Sequence, residues 1–514
     1  MSTINKLHVP NDIVREIISH IDPYDNNTLC SCLLVNHVWC EFTIPLLWSN
    51  PFNLIKKKDP RMLVTTYFDF LDEKTKSITG GQNHKKILIK YPTYLRKVSF
   101  MDIYDGVLDW VIFNNKMRQE SEEIPTKEDQ VFSIMLSKEI LKMILNNSIG
   151  LEYLKIDVSR ELKRRTRCES ISFPPLNNNH NVGLSKLNTL HCSNDNANSE
   201  ILLSLAQSST SIKNLIITEN DWDNDVGTVN SAITKLVKAQ QGIEKVIIKR
   251  VSRGITDILT SLCSQKNTIK GIQLDHVPFG TDEHGLKCIS EFSENLEEIR
   301  FINCYNMTDN VVKPLLNMEF PRLTTLEINN RHFYLLPEIS PTKEILELIK
   351  NLGNNLTELI VNESYQPTLF DSLFHHVQKY CTNLTTLGLN IGYKQLPPLL
   401  ELIRSLKKLQ RFIVQSDGGL CYIDNWLKAI AEGIPPSLTS LEVNGWIMST
   451  EGLKGFLNFS KNRIKVLAWR LPLGKKIEDY SSILEDYSRN IYFVQISQRK
   501  LKEQVWDEAR VEFI

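Results

Sequence analysis

The chain has 514 residues, of which 42% are hydrophobic and 23% charged, and this composition allows a large core and more than one domain. Its 60 basic residues balance 60 acidic ones, so no overall field favours nucleic acid or an anionic membrane as a partner. No apolar run reaches the roughly 18 residues that a bilayer span needs. The N-terminus lacks the pattern of a signal peptide and the ten cysteines contain no C-x-x-C pair, so we expect free thiols in the cytoplasm or nucleus.

Residues 1–50 are predicted to form a small helical domain. Pro10 stands where a helix would begin, aliphatic residues then recur at helical spacing, and Asp22-Pro23 would end the helix. Thr28 is predicted to cap a second helix over residues 29–39. So short a segment is not expected to bury all of its large apolar side chains alone, so another surface must cover them. These side chains are Ile13, Val14, Ile17, Ile18, Ile21, Leu33, Leu34, Val35, Val38 and Trp39.

This segment resembles an F-box. The family pattern of Pro-x-acidic-aliphatic, paired aliphatic residues and then Val-small-x-x-Trp is matched by Pro10 to Ile13, by Ile17-Ile18 and by residues 35–39, with departures at Val9, Asn36 and His37. The resemblance implies that the helices bind a small Skp-type adaptor and, through it, a cullin. The residues it assigns to this interface are Pro10, Ile13, Ile17, Leu33, Val35 and Trp39. On the residues alone, an ordinary helical hairpin packed on the rest of the protein stays open.

Residues 51–130 are predicted to be a connecting region. Residues 72–86 and 114–130 are polar or charged and are expected to be flexible insertions, as are residues 158–186 further along. Leu95, Val98 and Phe100 are a candidate first copy of the repeat that follows.

Residues 131–514 are predicted to be an irregular leucine-rich-repeat solenoid. The pattern aliphatic-x-x-aliphatic-x-aliphatic occurs thirteen times, mostly at intervals of 25 to 31 residues. Each copy predicts a short strand followed by a return helix, so the fold class is α/β, with parallel strands on the concave face and helices on the convex face. A helical repeat is the alternative, but the strand cores are short and β-branched. The copies begin at Leu151, Leu187, Ile212, Ile243, Ile269, Leu296, Leu323, Leu356, Leu384, Leu409, Leu438, Ile464 and Ile491.

A row of polar residues follows the last core position of these strands. We expect this row to be exposed on the concave side, where amides offer donors and acceptors at fixed spacing. The same row could simply keep an exposed strand face soluble. Ile216, Ile247, Ile360 and Ile413, one position earlier, are predicted to be exposed aliphatic residues. The candidate substrate face consists of Asn329, Asn362, Asn390, Gln415 and Asn444.

The sequence contains no G-x-x-x-x-G-K-S/T loop, G-x-S-x-G elbow or H-E-x-x-H motif, so we expect a protein that is not an enzyme, with no catalytic residue, metal or cofactor. The F-box resemblance implies a substrate-recognition subunit of a Skp–cullin–F-box ubiquitin ligase, whose repeats bind a target protein and neither nucleic acid nor membrane. The alternative is a non-ligase leucine-rich-repeat scaffold in which residues 1–50 cap the array.

Overall fold

The computed structural model describes most of the chain. The described residues fall into two compact units, Met1–Gln265 (unit 1) and Lys266–Ile514 (unit 2). They are residues 9–22, 25–52, 60–78, 89–118, 125–158, 162, 173, 181–195, 198–219, 227–279, 284–307, 309–329, 342–362, 367–416, 422–460, 464–471, 493–499 and 506–512.

Unit 1 begins with helices and continues into a parallel sheet. Strands β1 to β5 pair in sequence order, and all of their pairings are parallel. The helices α8, α9 and α10 between and after the later strands pack against one another in a layer. In chain order the elements are α1 (Asn11–Ser19), α2 (Asn26–Leu33), α3 (His37–Leu47), α4 (Pro60–Phe68), α5 (Glu73–Ile78), a 3-10 turn (Tyr91–Tyr94), β1 (Lys97–Ser99), α6 (Phe100–Arg118), α7 (Lys127–Asn147), β2 (Tyr153–Lys155), a 3-10 turn (Asn181–Lys186), β3 (Thr189–Ser193), α8 (Ser199–Ser208), β4 (Asn214–Thr218), α9 (Gly227–Ala239), β5 (Lys245–Lys249), α10 (Ile255–Leu262) and a 3-10 turn (Cys263–Gln265).

Unit 2 repeats a strand–helix step until its last two strands. Strands β6 to β14 pair in parallel in sequence order, and β15 then pairs antiparallel with β14. The elements are β6 (Gly271–Asp275), α11 (His284–Ser290), β7 (Glu298–Ile302), α12 (Asp309–Leu316), β8 (Thr325–Asn329), α13 (Thr342–Leu352), β9 (Glu358–Asn362), α14 (Pro367–Tyr380), β10 (Thr386–Ile391), a 3-10 turn (Tyr393–Gln395), α15 (Leu396–Ser405), β11 (Arg411–Ser416), α16 (Asp424–Gly433), β12 (Ser440–Asn444), α17 (Thr450–Ser460), β13 (Val466–Leu471), β14 (Phe493–Arg499) and β15 (Trp506–Glu512).

The repeated aliphatic residues form the core of each unit. In the copy around β7, Leu296, Ile299 and Phe301 are at most 1% exposed. Ile299 and Phe301 are two residues apart on β7, so their side chains lie on the same face of the strand, and Leu296 is buried just before the strand begins. The aliphatic spacing therefore marks the positions that each strand buries against its helix.

One backbone hydrogen-bond pattern recurs from repeat to repeat. The carbonyl oxygen of the residue immediately before one strand accepts the N–H groups of the residue immediately before the next strand and of that strand's first residue. Thus Glu297 O accepts from Thr324 N and Thr325 N, both at 3.0 Å. Because each repeat supplies the acceptor for its successor, the stacking distance is fixed by the main chain and tolerates varied side chains.

The fold-class prediction is confirmed: the chain is α/β, with a parallel strand in every one of the thirteen predicted copies and helices packed behind the strands. The candidate first copy at Leu95 is also a strand, β1, which pairs with β2. The boundary drawn at residue 130 falls inside α7. Strand β15 was not predicted.

The three predicted insertions are only partly described. Residues 73–78 form α5, α6 extends to Arg118, and α7 begins at Lys127 with a capping box between Thr126 and Asp129. These segments therefore contain helix where the sequence suggested flexible loops, because local capping outweighs their polar composition. Residues 79–88, 119–124, 159–161, 163–172 and 174–180 lie outside the described residues.

Candidate partner-binding surfaces

Helix α1 divides its aliphatic residues between two faces. Val14 and Ile18 are each 2% exposed, whereas Ile13 and Ile17 are 51% and 44% exposed. Each pair is four residues apart, so each pair occupies one side of the helix. Pro10 precedes the first helical residue and is exposed. The buried pair fixes the helix, and the exposed pair is left facing solvent.

The second predicted helix is two helices with different caps. The carboxylate of Asp25 accepts from Thr28 N at 3.1 Å and from Thr28 Oγ1 at 2.6 Å, and these bonds lower the pKa of Asp25. The prediction of Thr28 as the cap was therefore wrong. Asn36 is extended, at φ −169° and ψ 178°, and its Oδ1 accepts from Trp39 N at 3.1 Å. This second cap starts α3 where a continuous helix was expected, because an Asn at the N-cap satisfies an otherwise unpaired N–H.

The connection between α2 and α3 adds exposed aliphatic side chains. Leu34 is 87% exposed and Val35 57%, whereas Leu33 and Trp39 are half-buried. Both α1 and α2 pack on α3, and the Arg15 guanidinium lies 5.0 Å above the Phe42 ring. We use the name N-terminal aliphatic surface for the exposed apolar residues of α1, of the two residues before α1, and of the connection between α2 and α3. It consists of Val9, Pro10, Ile13, Ile17, Leu34 and Val35.

The end of α3 is joined to the first repeat. The Trp48 ring stacks on Tyr91 with a centroid distance of 4.0 Å and meets Tyr67 edge-on at 5.8 Å. Next to it, the carbonyl oxygen of Ser49 accepts from Arg96 N and Lys97 N at 2.9 and 3.0 Å. Ser49 thereby supplies β1 with the acceptor that a preceding repeat would supply.

The predicted amide row lies on one face of unit 2, but it is buried. Asn329, Asn362, Asn390 and Asn444 are 6%, 0%, 3% and 4% exposed, and Gln415 is half-buried. The expectation of an exposed row was therefore wrong. These residues sit in register on neighbouring parallel strands only about 4.8 Å apart, so each covers the next.

The aliphatic residues one row away are buried for the same reason. Ile360 and Ile413 are 7% and 6% exposed, although we expected both to be exposed. Ile360 lies over Gly388 of the next strand, where an added Cβ would be 3.0 Å from Ile360 Cγ2. Lateral packing between strands thus removes this part of the face from solvent.

Two carboxylates at the ends of the amide row were not singled out from the sequence. Asn329 Nδ2 donates to Glu327 Oε1 at 3.0 Å, and Asn444 Nδ2 donates to Glu442 Oε1 at 2.9 Å. Each carboxylate also accepts from an arginine: Glu327 from Arg300 at 2.6 Å and Glu442 from Arg411 at 3.1 Å. The sequence signal was present, since both strands read Leu-Glu-aliphatic-Asn.

The corresponding face of unit 1 is more open. Strands β2 to β5 each place two side chains on this face, and all eight are half-buried. The strand register aligns the second side chain of each strand in one row, which is Lys155, His191, Ile216 and Ile247. Ile216 and Ile247 thus retain part of the exposure that we expected. We call this the unit 1 strand face. Its residues are Tyr153, Lys155, Thr189, His191, Asn214, Ile216, Lys245 and Ile247.

Positive charge surrounds His191 on the unit 1 strand face. Burial, together with the charges of Lys155 and Lys249, lowers the pKa of His191 to about 4. Asp157 Oδ2 lies 3.6 Å from His191 Nε2 and opposes this shift. At neutral pH the imidazole is therefore uncharged, while the lysines keep the face basic.

The described residues offer little reactive chemistry. Burial raises the pKa of the Cys192, Cys304 and Cys381 thiols to about 12, so these cysteines stay protonated and unreactive. Within the described ranges no three His, Cys, Asp or Glu side chains converge as metal ligands would. A groove of about 340 Å³ between α5 and α7 has mixed charge, with Asp72, Lys138 and Glu139 among its lining residues. None of the described helices combines the length and apolar character of a membrane span.

Comparison with known proteins gives structural likeness only. No protein-family profile and no curated protein sequence matches the chain. Among solved structures, the leucine-rich repeat-containing protein LegL7 from Legionella pneumophila has 12% identity and a TM-score of 0.32, over 54% of this chain and 89% of that one. The complex of Rad7 and Elc1 in yeast has 10% identity and a TM-score of 0.39, over 88% of this chain and 92% of that one.

Proposed function

We propose that this protein is the substrate-recognition adaptor of a Skp–cullin–F-box ubiquitin ligase and that it is not itself an enzyme. The observation that carries the proposal is the split of α1 into a buried pair, Val14 and Ile18, and an exposed pair, Ile13 and Ile17. Ile13 and Ile17 lie one helical turn apart on the same side of α1, and adjoining exposed apolar side chains of this kind mark sites where partners bind. The F-box resemblance names a Skp-type adaptor as that partner.

The energetics fit a docking helix. Fully burying an aliphatic side chain contributes about 1.5–3 kcal/mol, so covering the half-exposed Ile13 and Ile17 would contribute about 1 kcal/mol each. Val35 and the almost fully exposed Leu34 add comparable amounts. Together these side chains can form the apolar centre of a modest interface. Leu33 and Trp39 are half-buried, so they would contribute a smaller exposed area to it.

For the target protein we propose the unit 1 strand face in place of the amide row. The buried amides cannot contact a partner in this conformation, whereas Ile216 and Ile247 lie side by side and half-exposed. Lys245 lies two residues before Ile247 on β5, and Lys155 lies in the same row beyond His191, so the face would suit an acidic segment that carries an aliphatic residue.

The test is binding of the full chain to a purified Skp-type adaptor. Ile17→Asp places a charge in the proposed interface and should weaken binding more than tenfold. Ile149→Asp is the matched control, because Ile149 is also exposed, at 59%, and lies outside the three helices. Equal binding by both variants would contradict the proposal. The variant Ile247→Glu should bind the adaptor as the wild-type chain does. It should no longer bind target proteins that contact the unit 1 strand face.

A scaffold without ligase activity is the second candidate, and the Ser49 hydrogen bonds favour it. A capping segment must pair with the first repeat, and Ser49 does so together with Trp48. The two functions are compatible, since capping uses Trp48 and Ser49 at and after the end of α3, whereas adaptor binding would use the N-terminal aliphatic surface. If neither the wild-type chain nor the Ile17→Asp variant binds a Skp-type adaptor, the adaptor function is contradicted and the scaffold function is the one that is left.

A further inference from the structure

Ser252 links the ends of two neighbouring strands in unit 1. Its backbone N–H and its hydroxyl both donate to the carboxylate of Glu219, and the hydroxyl lies 3.0 and 3.1 Å from the two carboxylate oxygens. Glu219 immediately follows β4, whereas Ser252 lies between β5 and α10. In the described part of the chain, every hydrogen bond to this carboxylate comes from Ser252. The contact therefore joins the segments that leave β4 and β5.

The two partners differ in their exposure to solvent. Glu219 is 5% exposed, so hydrogen bonds from Ser252 replace water around its carboxylate. Ser252 is exposed and belongs to the short surface connection formed by residues 250–254. A reagent or an enzyme can therefore reach the serine, while the carboxylate behind it stays buried.

Basic residues surround Ser252 in the sequence. Lys249 and Arg250 precede it by three and two residues and Arg253 follows it, in the run Lys-Arg-Val-Ser-Arg. Arg250 and Arg253 are exposed, and Lys249 is half-buried at the end of β5. Arg250 has a φ of 60°, which turns the chain out of the strand. Protein kinases select substrates by complementary charge, so these cations beside an exposed serine suit a kinase whose substrate groove is acidic.

We propose that Ser252 is a phosphorylation site for a serine kinase that recognises basic sequences. The hydroxyl oxygen of Ser252 attacks the γ-phosphorus of ATP and forms a new O–P bond. The bond between that phosphorus and the oxygen bridging it to the β-phosphate breaks, and the hydroxyl proton passes to a base of the kinase. The products are phosphoserine and ADP, and no group is oxidised or reduced.

Phosphorylation breaks the contact between Ser252 and Glu219. A phosphoserine carries about −1.5 to −2 charge at pH 7, and its bridging oxygen no longer donates a hydrogen bond. The phosphate would lie against a buried carboxylate of the same sign, so one of the two groups must move. Glu219 is held by its main chain, whose N–H donates to the carbonyl oxygen of Lys249 at 3.0 Å. The exposed connection that carries Ser252 is therefore the part that moves.

The modification also affects the unit 1 strand face. The strands that lose this link carry Ile216 and Ile247, and the phosphate adds negative charge three residues from Lys249. We expect phosphate on Ser252 to weaken the binding of an acidic target at this face. This consequence rests on the target-binding function proposed above, whereas phosphate transfer and the loss of the Glu219 contact do not.

Phosphate transfer is tested on the folded full chain. The catalytic subunit of cyclic-AMP-dependent protein kinase, supplied with ATP and Mg²⁺, should place phosphate on Ser252, as located by mass spectrometry of the digested protein. Arg250→Asn should slow this reaction about tenfold or more and leave stability unchanged, because Asn removes the charge and tolerates a positive φ. The absence of phosphate at Ser252 in the folded chain, or equal rates for wild type and Arg250→Asn, would overturn the proposal.

The effect on Glu219 is tested by changing charge at constant side-chain size. Ser252→Asp and Ser252→Asn introduce side chains of nearly equal shape, of which only the first is charged. The urea midpoint of Ser252→Asp should lie below that of Ser252→Asn, and the difference should disappear when each is combined with Glu219→Gln. Equal midpoints, or a difference that persists with Glu219→Gln, would show that the charge does not act through Glu219. Neither test uses a target protein, so failure here is distinct from failure of the proposed target binding.

Discussion

The carbonyl oxygen of Ser49 accepts the backbone N–H of Arg96 at 2.9 Å, although Ser49 follows the N-terminal helices and Arg96 immediately precedes the first strand. Arg96 in turn accepts from Glu152 and Tyr153 at 2.8 and 2.9 Å, which is the step between successive repeats. Ser49 therefore occupies the place of a repeat that precedes the first. The N-terminal helices are attached to unit 1 by main-chain bonds as well as by the Trp48–Tyr91 stack, so the adaptor proposal implies a fixed geometry between the aliphatic surface and the strands of unit 1.

The first prediction concerns this attachment. Trp48→Ala removes a ring that contacts both Tyr91 and Tyr67, and we expect it to destabilise unit 1 by about 2 kcal/mol, less than for a fully buried Trp because Trp48 is half-buried. Hydrogen exchange should become faster in α1 to α3 and stay unchanged in β3 and β4. Tyr422→Ala, at a 54% exposed aromatic residue in unit 2, is the control and should change neither. Uniform acceleration throughout unit 1 would mean that the helices do not open separately.

The aliphatic spacing predicted the strands correctly because it directly encodes the buried positions of each repeat. The same reasoning missed β15, which is antiparallel and carries no repeat motif. It also assigned the cap of the second helix to Thr28, whereas Asp25, three residues earlier, is the cap. It failed most clearly at Asn362, which is polar and yet fully buried. The alternation of apolar and polar residues along one strand indicates which face of the sheet a side chain lies on. Whether that face is exposed to solvent depends on the side chains of the neighbouring strands, which one strand's sequence does not reveal. The Leu-Glu-aliphatic-Asn pattern shared by β8 and β12 was the one local clue.

The second prediction is a pH dependence of stability that arises from His191. Burial, Lys155 and Lys249 lower its pKa to about 4 in the folded chain, against about 6.5 unfolded. Above pH 6.5 both states are neutral and the residue has no effect. As the pH falls from 6.5 to 4 the unfolded state takes up the proton first, so stability is lost, by at most about 3 kcal/mol.

Urea unfolding of wild type and of His191→Gln, measured between pH 4 and pH 7.5, isolates this contribution. The difference in unfolding free energy between the two proteins should be flat above pH 6.5 and change steadily below it, with wild type losing more. A difference that stays constant over the whole range would show that His191 titrates normally in the folded protein.

The third prediction uses two glycines in unit 2. A Cβ at Gly353, just after α13, would lie 2.7 Å from the carbonyl oxygen of Tyr380, and a backbone atom cannot move aside as a side chain can. We expect Gly353→Ala to lower the unfolding free energy by about 1–3 kcal/mol. Gly455 lies inside α17, and nothing beyond its chain neighbours and its own helix backbone comes within 4 Å of the added Cβ, so Gly455→Ala should raise the unfolding free energy by about 1 kcal/mol through helix propensity. In denaturant unfolding, the midpoint of Gly353→Ala should therefore fall and that of Gly455→Ala should rise relative to wild type. If both midpoints change in the same direction, the packing argument is wrong.

The last prediction concerns the ion cluster that links β7, β8 and β9. Arg300 Nη1 donates to Glu327 at 2.6 Å and Nη2 donates to Glu358 at 3.1 Å, while Nε donates to Glu298 on its own strand. Arg300→Met would leave Glu327, whose side chain is 9% exposed, without its cation. Removing one partner of a buried pair typically costs about 3–5 kcal/mol, and because Arg300 itself is 21% exposed we expect about 2–3 kcal/mol.

The double variant Arg300→Met, Glu327→Leu separates charge from packing. It removes both members of the most buried pair and should recover most of the loss, because no carboxylate then remains buried without a cation. Arg322→Met is the control, since Arg322 is exposed and its hydrogen bond to Asn295 is 3.4 Å long. If the double variant is as unstable as Arg300→Met, the arginine acts through the packing of its side chain over the strands, and the stability of β7 to β9 does not depend on neutralising Glu327.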